Sequence, residues 1–245
     1  MSWIMSLDIG QTTDYTALSV IDYTLRPRAF VIRHLQRFQL GTAYPDIVKR
    51  TVEIREALAK PLLCIDATGV GQAVLDMFYA EGIIPLAITI TGGDVAKSKA
   101  QAEEELKKKE GAFYIPSLRE RLTWTVPKRD LVAAMNVAFQ QRQVKISGTL
   151  ADSKTLIDEM LNFRLKISNK GHDSYEAWRE GTHDDLVLSV ALPIWWVSRL
   201  GQPSKGEKPS MMVQPPQGIP EIVESQRDRW GRRTGQTGNI PGIGG

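Results

Sequence analysis

The run Leu62-Leu63-Cys64-Ile65-Asp66 constrains this chain most. Five residues without apolar/polar alternation suit a strand buried on both faces, and such strands belong to parallel sheets covered by helices. The next thirty residues agree with a parallel sheet. Gly69 and Gly71 mark a turn, 72–81 reads as a helix closed by Gly82, and 83–91 reads as another strand. Strand, helix, strand implies a right-handed parallel crossover. The opening of the chain differs. Trp3 to Ile9, Thr16 to Tyr23 and Arg28 to Phe38 are β-rich runs separated by short turns, as in an antiparallel meander. The expected fold is therefore α/β, with a mixed central sheet, antiparallel first and parallel afterwards, flanked by helices.

Further helices are expected over 45–58, 96–110, 127–142 and 156–161. Phe163 to Ile167 and Ser174 to Trp178 bracket Asn169-Lys170-Gly171 as a hairpin would. An apolar helix from Asp184 to about Arg199 comes last, and Pro193 is expected to kink it or end it early. From Gly201 to Gly245 nine glycines and six prolines make up a third of the residues, and apolar residues show no period. Two regions are expected: a folded domain over 1–200 and a disordered tail over 201–245.

Composition narrows the chemistry. The lone cysteine, Cys64, excludes an intrachain disulfide framework and an all-cysteine zinc site. No apolar run reaches membrane-spanning length, and Asp8 interrupts the N-terminus where a signal peptide would be apolar. Membrane partners are not expected. A net charge of +3 is too small to argue for nucleic acid by itself.

The carboxylates are the informative residues. Asp8 and Asp66 each end an apolar run, and Asp184 and Asp185 open the last helix after Gly181-Thr182-His183. One aspartate at an element end is ordinarily a cap or turn former. Three such places together suggest more. If the first and fourth strands are neighbours, Asp8 and Asp66 leave the sheet at one edge, and a helix packed across it brings in Asp184 or Asp185. Such a group repels itself unless a cation joins it, and all-oxygen ligation favours Mg²⁺ or Mn²⁺.

Four segments, Asp8-Ile9-Gly10-Gln11-Thr12-Thr13-Asp14-Tyr15-Thr16-Ala17-Leu18, Ile65-Asp66-Ala67-Thr68-Gly69-Val70-Gly71, Val126-Pro127-Lys128-Arg129-Asp130-Leu131 and Gly181-Thr182-His183-Asp184-Asp185-Leu186-Val187, resemble the nuclease domain of the large terminase subunit of tailed bacteriophages. They stand in that family's order and span about residues 3–195. The resemblance implies a ribonuclease H-like fold, akin to Holliday-junction resolvases. It also implies metal-dependent cutting of concatemeric double-stranded DNA during genome packaging, in the host cytoplasm. Carried over by position, the metal ligands are Asp8, Asp66, Asp184 and Asp185, with Asp185 favoured over Asp184 as the direct third ligand. Asp14 shapes the loop after the first strand, and His183 is a helix-entry residue or one that supports a metal ligand. Two Mg²⁺ or Mn²⁺ ions flank the scissile phosphate in the implied reaction, with Asp8 bridging them.

DNA contacts are expected from Lys128, Arg129, Arg164, Lys166 and Lys170, which would be sequence-independent and salt-sensitive. Family members normally carry an ATPase motor ahead of the nuclease, yet no G-x-x-x-x-G-K-[ST] motif occurs here. The expectation is an excised domain, or the nuclease half of a split terminase. Its partners would be an ATPase motor domain or subunit, a small terminase subunit and a portal or procapsid. Two alternatives stand beside it. Asp8 to Thr13 and Asp66 to Gly69 also resemble the phosphate loops of actin- and sugar-kinase-like phosphotransferases, and a junction resolvase shares the nuclease chemistry.

Overall fold

The computed structural model describes residues 2–10, 14–69, 71–168 and 183–200. Eight strands form one mixed sheet. The meander is β1 (Ser2–Asp8), β2 (Ala17–Leu25) and β3 (Arg28–Arg37), each antiparallel to the next. Then β4 (Leu62–Asp66), β5 (Leu86–Thr91) and β7 (Thr123–Pro127) extend it beyond β1, all parallel to β1. The two edges are short: β6 (Lys97–Ser98) lies antiparallel to β7, and β8 (Val144–Ile146) parallel to β3. The spatial order is β6-β7-β5-β4-β1-β2-β3-β8. Its centre, three antiparallel strands continued by parallel ones on the far side of the first, is the ribonuclease H-like arrangement.

Alternation along the strands builds two cores, one on each face. Met5, Leu7, Leu18, Val20, Leu63 and Ile65 point to a core closed by α1 (Tyr44–Ala57) and α2 (Gly71–Ala80). Ile4, Ile21, Cys64, Leu86 and Ile88 point the other way, to α5 (Lys128–Gln140), α6 (Ser153–Ser168) and α7 (Asp185–Arg199). Between them in the chain lie α3 (Lys99–Lys109) and α4 (Leu118–Arg121), each opened by a serine capping box, at Ser98 and Ser117.

Two expectations are corrected. Phe163 to Ile167 is not a strand but the end of α6. Leu156, Met160, Phe163 and Ile167 recur at helical spacing, so two of the three alternating apolar residues, all but Leu165, also keep the period of a helix. The second arm of the expected hairpin and the tail over 201–245 lie outside the described residues.

Pro193 neither kinks α7 enough to stop it nor ends it, and the helix continues to Arg199. Proline has no N–H to donate to the carbonyl four residues back, which is that of Ser189. The Ser19 hydroxyl, reaching up from β2, donates to that carbonyl at 2.7 Å. Both serines are fully buried. The sheet thus supplies the hydrogen bond the proline withholds, and α7 remains buried from Asp185 to Val197.

Candidate active site

The site lies where the parallel strands end. β1 and β4 pair in register as far as Leu7 and Ile65, so Asp8 and Asp66 are the next neighbours along that edge. Ala17 stands opposite Asp8 on β2, and Arg37 opposite Ala17 on β3. Asp66, Asp8, Ala17 and Arg37 therefore form a row across four strands, on the face that α7 covers. Ala17 is the small member, and its lack of bulk leaves the space above the row to the charged side chains on either side.

Loops on both sides are held tightly. A Cβ on Gly10 would lie 2.3 Å from the carbonyl oxygens of Asp14 and Tyr15, so the chain returning from β1 crosses directly over Gly10, and only glycine fits. The Gly10 N–H donates to Thr16 Oγ1 at 3.1 Å. After β4, the Thr68 N–H donates to Asp66 Oδ1 at 2.8 Å, while Thr68 Oγ1 accepts from the Ile90 N–H at 2.9 Å. Asp66 is thereby tied to the neighbouring strand β5.

Asp8 and Asp66 are each buried and share a hydrogen bond. Burial pushes the Asp8 carboxyl well above the ordinary carboxylate range; Asp66, Asp184 and Asp185 push it further, and Lys128 pulls it back. Burial raises Asp66 as well, against hydrogen bonds from Thr68 and Asp8 that favour its ionised form. Two hard oxygen donors side by side are a set that suits a divalent cation, whose charge would offset their mutual repulsion.

The other two acids lead into separate charge networks. Lys128, the first residue of α5, extends from the end of β7 and pairs with Asp184 at 3.1 Å. Burial lowers the Lys128 ammonium from its usual range, and Asp184, Asp8 and Asp66 hold it up. Arg37 grips Asp185 with two bonds, Nε to Oδ2 at 2.8 Å and Nη2 to Oδ1 at 3.1 Å. Its Nη2 also pairs with Glu159 of α6. Burial is the main cause pushing Glu159 up to about 8, with Asp185 adding to it and Arg37 opposing. Burial also raises Asp185, against the pull of Arg37. Among the described residues no three His, Cys, Asp or Glu side chains stand close enough to hold an ion by themselves. Asp8 and Asp66 stand together on adjacent strands, while Asp184 and Asp185 are each held by a cationic side chain, Lys128 and Arg37.

The remaining expected residues divide in the same way. Tyr15 packs edge-on against the His183 ring, centroids 4.8 Å apart, and beneath the Arg37 guanidinium at 4.7 Å. His183 thus belongs to the Arg37 side of the site. Arg129 is half exposed and pairs with Asp94 at 3.1 Å. Arg164 and Lys166 lie on α6, and their side chains, like Lys170, fall outside the described residues. Cys64 shares the face of Asp66 but is wholly buried, and burial pushes its thiol up.

No family model matches the chain. In sequence it is 24% identical over 190 residues to the large terminase subunit of Thermus phage G20c, and 25% identical over 190 residues to that of Thermus virus P23-45. In sequence the chain is similar to phage large terminase subunits. The matched stretch takes in 78% of this chain and 30% of each of those proteins, so the chain spans under a third of their length. Among solved structures, the large terminase nuclease of phage G20c with bound zinc aligns at a TM-score of 0.45 and 20% identity, covering 78% of each chain. The human cytomegalovirus terminase nuclease domain aligns at 0.44 and 12%, covering 82% of this chain and 83% of that one. The P22 large terminase nuclease domain aligns at 0.41 and 11%, covering 81% of each. At TM-scores below 0.5 these superpositions carry no residue-by-residue correspondence.

Sequence reasoning passed over two members of the site. Arg37 is one charge in a strand whose solvent face is already polar. Glu159 carries a legible signal: it stands three residues after Leu156, on the apolar side of its helix, where an unpaired acid has no place.

Proposed function

We propose that this chain is a metal-dependent endonuclease that cuts concatemeric double-stranded DNA during viral genome packaging. The observation that carries the proposal is the buried Asp8–Asp66 pair on adjacent parallel strands, with Asp184 and Asp185, at the start of α7, near enough to act on the Asp8 carboxyl. The relationship to phage large terminase subunits supports the same reading.

Asp8 and Asp66 would hold Mg²⁺ or Mn²⁺, and Asp184 and Asp185 would complete the donors for a pair of ions. Bound there, such ions would polarise a phosphodiester and make a bound water more acidic than bulk water. The chain's own residues set the conditions. β1 and β4 fix the two central carboxylates, and the Thr68 turn orients Asp66. Lys128 neutralises Asp184 until a stronger cation or a phosphate competes for either partner. Arg129, and Arg164, Lys166 and Lys170 with it, would touch the DNA backbone without reading sequence. An ATPase motor domain or subunit, a small terminase subunit and a portal or procapsid in the host cytoplasm are the partners this reading calls for. No helix among the described residues is long and apolar enough to cross a membrane.

The test is cleavage of supercoiled plasmid with Mn²⁺ or Mg²⁺. Cutting is expected, with loss in EDTA and in Asp8→Asn or Asp66→Asn. Parent-level cutting by both variants would overturn the proposal.

A further inference from the structure

The first turn of α7 is capped in an unusual way. Asp184 occupies the N-cap position, yet its side chain makes no capping hydrogen bond. Its carboxylate pairs with Lys128 instead. The N–H groups of the first turn still need acceptors, because nothing within the helix can serve them. That of Val187, the third helical residue, is where an N-cap side chain usually bonds. Here it donates to Glu159 Oε2 at 3.1 Å, across 28 residues of sequence. The other Glu159 oxygen takes Arg37 Nη2, and the same guanidinium grips both oxygens of Asp185. Glu159 is 7% exposed and Asp185 5%, so each of these bonds replaces water that neither carboxylate can reach.

We propose that Glu159 is a positioning residue of the acidic site. By capping α7 from α6 it frees the Asp184 carboxylate from the task its position would assign it. By anchoring Arg37 it fixes the direction of Asp185. Two adjacent aspartates at a helix start would otherwise be drawn back onto their own backbone, away from the edge where Asp8 and Asp66 emerge. Glu159 touches neither the Asp8–Asp66 pair nor, on the nuclease reading, the DNA. It acts through Val187 and Arg37, and the inference rests on that reading.

The experiment measures Mn²⁺ binding to the full chain by the loss of the free-ion electron paramagnetic resonance signal, beside thermal unfolding and plasmid cleavage. Two variants separate the contacts. Glu159→Gln keeps an acceptor for Val187 but sets an amide donor against Arg37; Glu159→Ala removes both bonds. Half-saturating Mn²⁺ is expected to rise about tenfold or more in Glu159→Ala, and by less in Glu159→Gln. Excess Mn²⁺ should restore cleavage in Glu159→Ala, which a collapsed site would not allow. The Val187 amide should exchange faster in Glu159→Ala than in the parent. If both variants bind Mn²⁺ as tightly as the parent, the positioning role is overturned. Should Glu159→Ala not fold, Glu159→Gln decides alone: weaker binding supports the role and unchanged binding overturns it. A parent whose Mn²⁺ binding ignores Asp8→Asn removes the nuclease reading and this inference together. A parent sensitive to Asp8→Asn but indifferent at Glu159 removes only the inference.

Discussion

Asp184 and Asp185 are consecutive in the chain but belong to opposite charge pairs, the first with Lys128 at 3.1 Å and the second with Arg37 at 2.8 Å. Asp184 is partly exposed, whereas Asp185 is buried in a three-membered network with Arg37 and Glu159. The two asparagine variants should therefore fail differently. Asp184→Asn is expected to lower cleavage with a melting temperature near the parent's. Asp185→Asn is expected to lower cleavage and also to lose about 1–3 kcal/mol of stability, because it leaves part of a buried guanidinium unpaired. Parallel melting and cleavage assays check this, and equal melting temperatures would refute the division.

The Asp8–Asp66 pair sets stability against activity. Asp8→Asn keeps the size of the side chain and removes the charge that burial and three neighbouring acids oppose. The metal-free variant should melt higher than the metal-free parent. Its cleavage should fall by more than the roughly 10–100-fold typical of residues one layer from a metal. A variant both less stable and fully active would contradict the account of this pair.

Glu159 gives the metal-free protein a pH dependence of definite sign. Its carboxyl sits at about 8 in the fold against an ordinary 4.5, so the folded state holds a proton that the unfolded chain releases between those values. The stability this proton contributes is complete below about pH 4.5 and disappears as pH rises through 8. Asp8, Asp66 and Asp185, also raised, act in the same sense. His34, lowered by burial, acts in the opposite sense below its ordinary 6.5. The comparison that isolates Glu159 is parent against Glu159→Gln, melted in EDTA from pH 5 to 8 (about the span of its titration). The parent should lose stability relative to the variant as pH rises, and parallel curves would show that Glu159 is already ionised at the acid end.

Ser19 and Pro193 form a pair that a double-mutant cycle can read. Ser19→Ala leaves the buried Ser189 carbonyl without its donor and should lose about 1–3 kcal/mol. In a Pro193→Ala background the helix regains its own N–H at that carbonyl, and the same serine change should lose at least about 1 kcal/mol less. Urea unfolding of the four proteins gives the coupling, and additive losses would mean that the hydroxyl is not a substitute for the missing N–H.

The central strands were legible because each of their apolar runs stops at a turn signal, and Leu62–Asp66 needed no adjustment at either end. The edge strands were not. β6 and β8 hold two and three residues, too few for alternation to register; the interior β7 also escaped, since it adjoins α5 without a break and its last residue, Pro127, falls in the expected helix. Phe163 to Ile167 failed for another reason: in so short a stretch the first and last alternating residues, Phe163 and Ile167, also keep the period of a helix that begins at Leu156. In the site, Asp8, Asp66, Asp184 and Asp185 stood out because a carboxylate at the end of an apolar element needs an explanation. Arg37 did not, since it is a single charge within a strand and only tertiary packing turns it toward Asp185; Glu159 was legible only as an acid on an apolar helix side, without its partner.

Asp8 and Asp66 stand on hydrogen-bonded neighbouring strands, whose separation of about 4.8 Å belongs to every β-sheet. The gap between the two acids is consequently a property of the backbone ladder, indifferent to the loops beyond it. Insertions after Gly10 or Gly69 can remodel whatever approaches this edge while the two anchors keep their span. An architecture of this kind lets the grip on a substrate diversify without disturbing the chemistry beneath it.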